Sequence, residues 1–147
     1  GNCKVSPIKI KVMSNQSPTK QATKEATFEV CQRFFFDAAH HLERKIETEG
    51  SRRIHGHTYN AEVAVAGTVD PATGMVMDIG FIRVEVAKVR ALLDHHLLDE
   101  VPGLGIPTIE NLCIFIAKTM QENGLKLSRV TVWRDGIGDK CNMVIPN

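Results

Sequence analysis

The chain predicts an α+β fold: an antiparallel sheet with two helices on one face, in the order ββααββ. Three observations carry this. Two long stretches of period-two apolar alternation open the folded part of the chain. Two stretches of helical apolar periodicity, each behind a capping residue, occupy the middle. Two short alternating runs joined by a glycine-rich turn close it.

Residues 1–26 are polar and lysine-bearing, include Pro7 and Pro18, and sustain no period. They read as a flexible or loosely docked extension to a single domain over 27–147. "TFEVCQRFFFDAAHHL" is then one long strand, expected to bulge or end near Ala38–Ala39. Its inner face holds Phe28, Val30, Phe34, Phe36, Ala38 and His40. The charged stretch 43–54 reads as a loop. A second strand over about 55–69 aligns His55, His57, Tyr59, Ala61, Val63 and Val65, and "DPATG" makes a turn. The first helix starts behind Asp78 and carries the stripe Ile82, Val86, Val89 and Leu93. "VPGLGIP" breaks the chain. The second helix starts behind Thr108, faces the core with Ile109, Leu112, Ile116 and Met120, and stops before Gly124. "RVTVWR" and "KCNMVI" form a hairpin through "DGIGD".

At 147 residues the chain suits one domain with a real core. Its formal net charge is +1 and no basic block threads through its aromatics, which argues against nucleic-acid binding. No apolar run approaches the ~18 residues of a membrane span. The four cysteines, Cys3, Cys31, Cys113 and Cys141, lack CxxC spacing and read as reduced thiols. No secretory signal is visible, and the expected compartment is the cytoplasm. The opening "GNCKVS" approximates an acylation signal, but its serine falls one place late.

The six histidines fall in three tight pairs, 40/41, 55/57 and 95/96. His55 and His57 are two apart on a strand, so both imidazoles leave one face. If the first two strands pair, His40 joins them. Three neutral imidazoles can hold Zn²⁺ and leave its fourth position open, the arrangement of a catalytic site. An open zinc polarises a carbonyl or hydroxyl oxygen. Gly56 between the ligands lets backbone approach closely. The competing reading is a surface pair of histidines with no metal. Asp94 and His95 end the first helix. There a carboxylate can fix the tautomer of a general acid/base imidazole, or the two can simply be polar residues at a helix end. Thr108 and Glu110 likewise read as an N-cap with an acidic first turn, or as a carboxylate that accepts two hydrogen bonds from a guanidine-like edge.

In that order, "FDAAHHL", "HGHTY", "GMVMDIGFIR", "LDHHLLD" and "PTIENL" resemble the 6-pyruvoyltetrahydropterin synthase / 6-carboxytetrahydropterin synthase family over about residues 28–135. The resemblance implies a tunnelling fold. It implies subunits joined through their sheets into a β-barrel, commonly a hexamer of two trimers, with active sites between subunits. It implies a zinc-dependent lyase acting on 7,8-dihydroneopterin triphosphate, toward either deazapurine (queuosine) or tetrahydrobiopterin products. By position, His40, His55 and His57 match the zinc ligands, Asp94 and His95 the acid/base pair, and Thr108 and Glu110 the pterin-contacting segment.

Two positions depart from the family. Ser51 stands where most members carry a cysteine, and a hydroxyl is a far poorer acid than a thiol. Glu49, or Glu47, lies in the same loop and offers a carboxylate in its place. Arg134 stands where many members place a pterin-binding glutamate. It only donates hydrogen bonds, so it suits a phosphate or acidic group. Asp135 would replace the glutamate only if a bulge re-aimed it. Ser51 and Arg134 together point to a divergent paralogue. The alternatives are aldolase-type cleavage to 6-hydroxymethyl-dihydropterin through Glu49, or a zinc-bound heterocycle-binding protein without turnover.

Overall fold

The computed structural model describes residues 6–11 and 23–146. Gly1, Cys3 and Pro18 lie outside them. Two three-residue strands, β1 (Lys9–Lys11) and β2 (Thr23–Glu25), pair antiparallel. The extension therefore contains a short ribbon where the sequence showed no period.

The main sheet holds β3 (Phe28–His40), β4 (His55–Gly67), β5 (Arg129–Arg134) and β6 (Asp139–Val144), antiparallel in the order β3-β4-β5-β6. Its inner face carries Phe36, Ala38, Tyr59, Ala61, Val63, Val65, Val130 and Val132, all buried. Two helices cover that face: α2 (Ile79–Leu93) and α3 (Ile109–Glu122), with a one-turn helix α1 (Thr48–Arg52) between β3 and β4. Helix α2 buries the expected stripe Ile82, Val86, Val89 and Leu93. Helix α3 buries Leu112, Ile116 and Met120, and adds Cys113, Phe115 and Ala117. Ile109 is only partly buried against that core. Both predicted caps form: Asp78 accepts from Gly80 N, and Thr108 accepts from Asn111 N. Gly124 lies past the end of α3 at φ 90°, a left-handed position that glycine occupies without strain.

One local expectation is met in part and another fails. β3 ends at His40, one residue past Ala38–Ala39, and it does so without a bulge: its ladder with β4 runs unbroken from Phe28↔Gly67 to His40↔His55. The strand can end on a histidine because that ring is hydrogen-bonded inside the fold, which removes the cost of burying it. The stretch 43–54 is not all loop, since it contains α1. One turn is too short to show a period. It is held by Thr48 Oγ1 donating to Arg44 O at 2.8 Å and by Leu42 N donating to Ser51 O at 2.6 Å.

Candidate active site

Register builds the centre of the site. The ladder sets His40 opposite His55 and Ala38 opposite His57, so His40 neighbours one histidine across the strands and the other diagonally. One ligand atom from each of the three side chains lies within 4.8 Å of the others. His40 is 2% exposed, and its Nδ1 donates to Pro107 O at 2.9 Å. His55 Nδ1 donates to Arg53 O at 2.7 Å. A carbonyl can only accept, so both rings carry their proton on Nδ1 and present the Nε2 lone pair. Those two Nε2 atoms face each other at 3.0 Å. Two lone pairs at that distance repel unless a proton or a cation sits between them. Burial, followed by the opposing effects of Pro107 and His55, holds His40 below the ordinary imidazole range, which disfavours the proton. An all-imidazole donor set free of carboxylate suits Zn²⁺ or another borderline transition metal. The residues present therefore fit a metal ion of that class.

Tyr59 stands two residues beyond His57 on the same face, and its hydroxyl lies 3.2 Å from His40 Nδ1. Burial pushes that hydroxyl up to about 12, so it stays neutral. The period-two spacing of His55, His57 and Tyr59 was the available signal. The carbonyls of Pro107 and Arg53, which set the tautomers, have no signal in side-chain sequence.

The carboxylate–imidazole pair is fastened to the edge of the strand that ends in His40. Residues 95–97 run beside β3: His95 N donates to Asp37 O at 2.7 Å and Ala39 N to His96 O at 3.1 Å. Asp94 Oδ1 accepts from Asp37 N at 3.0 Å, and Asp94 Oδ2 lies 3.0 Å from His95 Nδ1 and 3.2 Å from Arg90. The backbone N–H of Asp37, then the neighbouring His95 and Arg90, hold Asp94 below the usual carboxylate range. His95 adopts φ 58°, a left-handed conformation that costs a non-glycine residue about 1–2 kcal/mol. An open cleft of about 540 Å³ is lined by Asp37, Gly56, His57, Thr58, His95 and His96, so one concavity takes in a histidine of the triad and the acid/base candidate. Gly56 is not demanded by close approach: a Cβ there would meet only Ala38 O at 3.7 Å, an ordinary contact.

Other candidates fall elsewhere. Ser51 is buried in α1 with its hydroxyl donating to Thr48 O at 3.0 Å. Glu49 is exposed on the same turn, and Glu47 pairs with Arg44 at 3.3 Å. Thr108 is the N-cap of α3, and Glu110 is exposed in its first turn. Asp135 receives Asn60 Nδ2 at 3.2 Å. Arg134 is engaged: Nε donates to Asp139 Oδ1 at 3.0 Å, Nη2 to Asp139 Oδ2, and Nη1 lies 3.3 Å from His57 Nε2.

Burial first, then the Arg134 guanidinium and His40, push His57 from 6.5 down to about 4. The unfolded ring takes up a proton near 6.5 and the folded ring only near 4. Between those values the unfolded chain binds more protons, so stability falls as acid is added. Protein stripped of metal by a chelator should melt progressively earlier as pH drops through this window, and His57→Gln should flatten the trend. Parallel melting curves for the two proteins would count against this assignment.

Fold and site together define a class: a tunnelling-fold α+β protein with a three-histidine centre and an adjacent carboxylate–imidazole pair. Comparison with known proteins narrows it. The family described as 6-pyruvoyl tetrahydropterin synthase matches residues 29–142. A Synechocystis 6-carboxy-5,6,7,8-tetrahydropterin synthase is 37% identical over 98 residues, 63% of this chain and 74% of that one. A Pyrococcus furiosus dihydroneopterin monophosphate aldolase is 34% identical over 101 residues, 67% of this chain and 82% of that one. The solved Caenorhabditis elegans 6-pyruvoyl tetrahydropterin synthase superposes with a TM-score of 0.72 at 23% identity, covering 82% of this chain and 97% of that one; it supports the fold. The chain belongs to the 6-pyruvoyl tetrahydropterin synthase family of pterin enzymes. Among the described residues, no helix is long and apolar enough to cross a membrane.

Proposed function

We propose that this chain is a zinc-dependent lyase that acts on the side chain of 7,8-dihydroneopterin triphosphate. The observation that carries the reading is the convergence of His40, His55 and His57 with two Nε2 lone pairs already aimed at each other. His40, His55 and His57 would hold the zinc, which when bound polarises the side-chain oxygens of the substrate and makes their protons easier to move. His95 is the proton carrier. Its Nδ1 is engaged by Asp94, which leaves Nε2 to take a proton from a side-chain hydroxyl and return it to carbon. Thr108 and Glu110 hold the heterocycle, Glu110 by accepting from its amino and ring N–H groups. Ser51 stands where a thiol would act, and with its hydroxyl on Thr48 O it leaves a second proton carrier to Glu49.

The second reading is aldolase-type cleavage to 6-hydroxymethyl-dihydropterin, with Glu49 as base. The exposed carboxylate on α1 and the Pyrococcus furiosus relative favour it. His95 is 79% exposed along its side chain, which leaves room for a second subunit to complete the site. We take the assembly to be a hexamer of two trimers closed through the sheets, and the compartment to be the cytoplasm, in keeping with the free thiols of Cys31, Cys113 and Cys141.

The test is product identification. Zinc-loaded protein incubated with 7,8-dihydroneopterin triphosphate should yield a carboxypterin or pyruvoylpterin by mass spectrometry. A hydroxymethylpterin, lost in Glu49→Gln, would select the aldolase. Binding without turnover would defeat both in favour of a non-catalytic heterocycle-binding role.

A further inference from the structure

His57 carries a conflict between two cations. Its Nε2 lies 3.3 Å from Arg134 Nη1. A guanidinium only donates, so Nε2 offers its lone pair to Arg134 and the ring proton sits on Nδ1. A neutral imidazole has one such lone pair. A metal that takes Nε2 must displace the guanidinium. A metal that takes Nδ1 must move the ring proton to Nε2, where it meets an N–H of Arg134. On either nitrogen, the Arg134 hydrogen bond and a metal bond exclude each other.

The guanidinium is clamped in that position. Arg134 and Asp139 are register partners across the β5–β6 hairpin, and the carboxylate takes Nε and Nη2 together. Nη1 is the nitrogen that reaches His57. The side chain is 14% exposed, and its Cζ lies 5.9 Å from the centre of the Tyr59 ring. The pair is thus packed against the same residues that frame the histidines.

We propose that Arg134, clamped by Asp139, is a built-in competitor for the metal at His57 and sets the affinity of the three-histidine centre for divalent transition metals below what the three imidazoles alone would reach. The proposal rests on the metal-centre reading above. It adds that this chain's arginine opposes the ion directly rather than waiting for a substrate anion.

The experiment uses the full chain after chelator treatment, at fixed pH and ionic strength. Zinc affinity is measured by competition with a chromophoric chelator, and cobalt(II) absorption reports ligand number. Wild type is compared with Arg134→Gln, with His57→Ala, and with Arg33→Gln as a control for net charge, all checked for folding by circular dichroism. Arg134→Gln should bind zinc about 10-fold to 100-fold tighter, the range typical of groups just outside a metal's ligands. Arg33→Gln should match wild type, and His57→Ala should lose the tetrahedral cobalt spectrum. Nitrogen-15 shifts of metal-free wild type should show His57 protonated on Nδ1. Equal or weaker zinc binding in Arg134→Gln would overturn the competition and leave the metal centre standing. A His57 proton on Nε2 would do the same. Folded protein that binds no metal in any form would overturn the centre and, with it, this proposal.

Discussion

Replacing His40 with alanine should abolish stoichiometric zinc binding and lower turnover by about three orders of magnitude. The expectation follows from what His40 holds together. It is the buried member of the triad, it faces His55 across the ladder, and its tautomer is set by Pro107. Two imidazoles alone leave a divalent ion under-coordinated. Lewis-acid polarisation contributes several kcal/mol to a transition state, and each ~1.4 kcal/mol is a factor of ten in rate. His41→Ala is the matched control. Its Nδ1 pairs with Asp99 at 2.8 Å on the surface, so metal content and rate should stay near wild type. The measurements are metal content after dialysis and initial rate of product formation. Full metal occupancy in His40→Ala would sink the three-histidine centre.

The largest stability loss should come from Phe36→Ala, at about 3–5 kcal/mol. Phe36 is fully buried and stacks on Tyr59, its register partner, with ring centroids 5.2 Å apart. Truncation leaves a cavity that β3 and β4 cannot collapse into, because the ladder holds both strands on either side. For a chain of this size the melting temperature should drop by roughly 10 °C. The loss should also reach the site, since Tyr59 stands against His40 Nδ1, so zinc affinity should fall with stability. Phe35→Ala tests the alternation. Phe35 is 52% exposed on the outer face beneath Arg90, and its loss should cost about 1 kcal/mol or less. Equal losses at 35 and 36 would mean that the inner face has been misassigned.

The elements were legible because each leaves a local trace. Alternation marks β3 and β4, the stripe Ile82, Val86, Val89 and Leu93 marks α2, and Asp78 and Thr108 cap where side-chain oxygens favour the first turn. The triad was legible as far as a shared face. The one-turn α1 left no trace, because a single turn has no period. The hold of residues 95–97 on β3 left none either, since it is made of backbone groups from segments 58 residues apart, as in Ala39 and Leu97.

The amino-acid order by itself determined which side chains share a face: the covalent geometry of a strand sends residues 36, 38 and 40, or 55, 57 and 59, the same way whatever lies across from them. Tertiary structure alone decided which partner each face meets. It set His40 opposite His55, turned both lone pairs inward by offering the carbonyls of Pro107 and Arg53, and brought Arg134 to His57 from 77 residues away. Those contacts depend on ladder register and on backbone carbonyls that every residue carries alike, so no residue type announces them in advance.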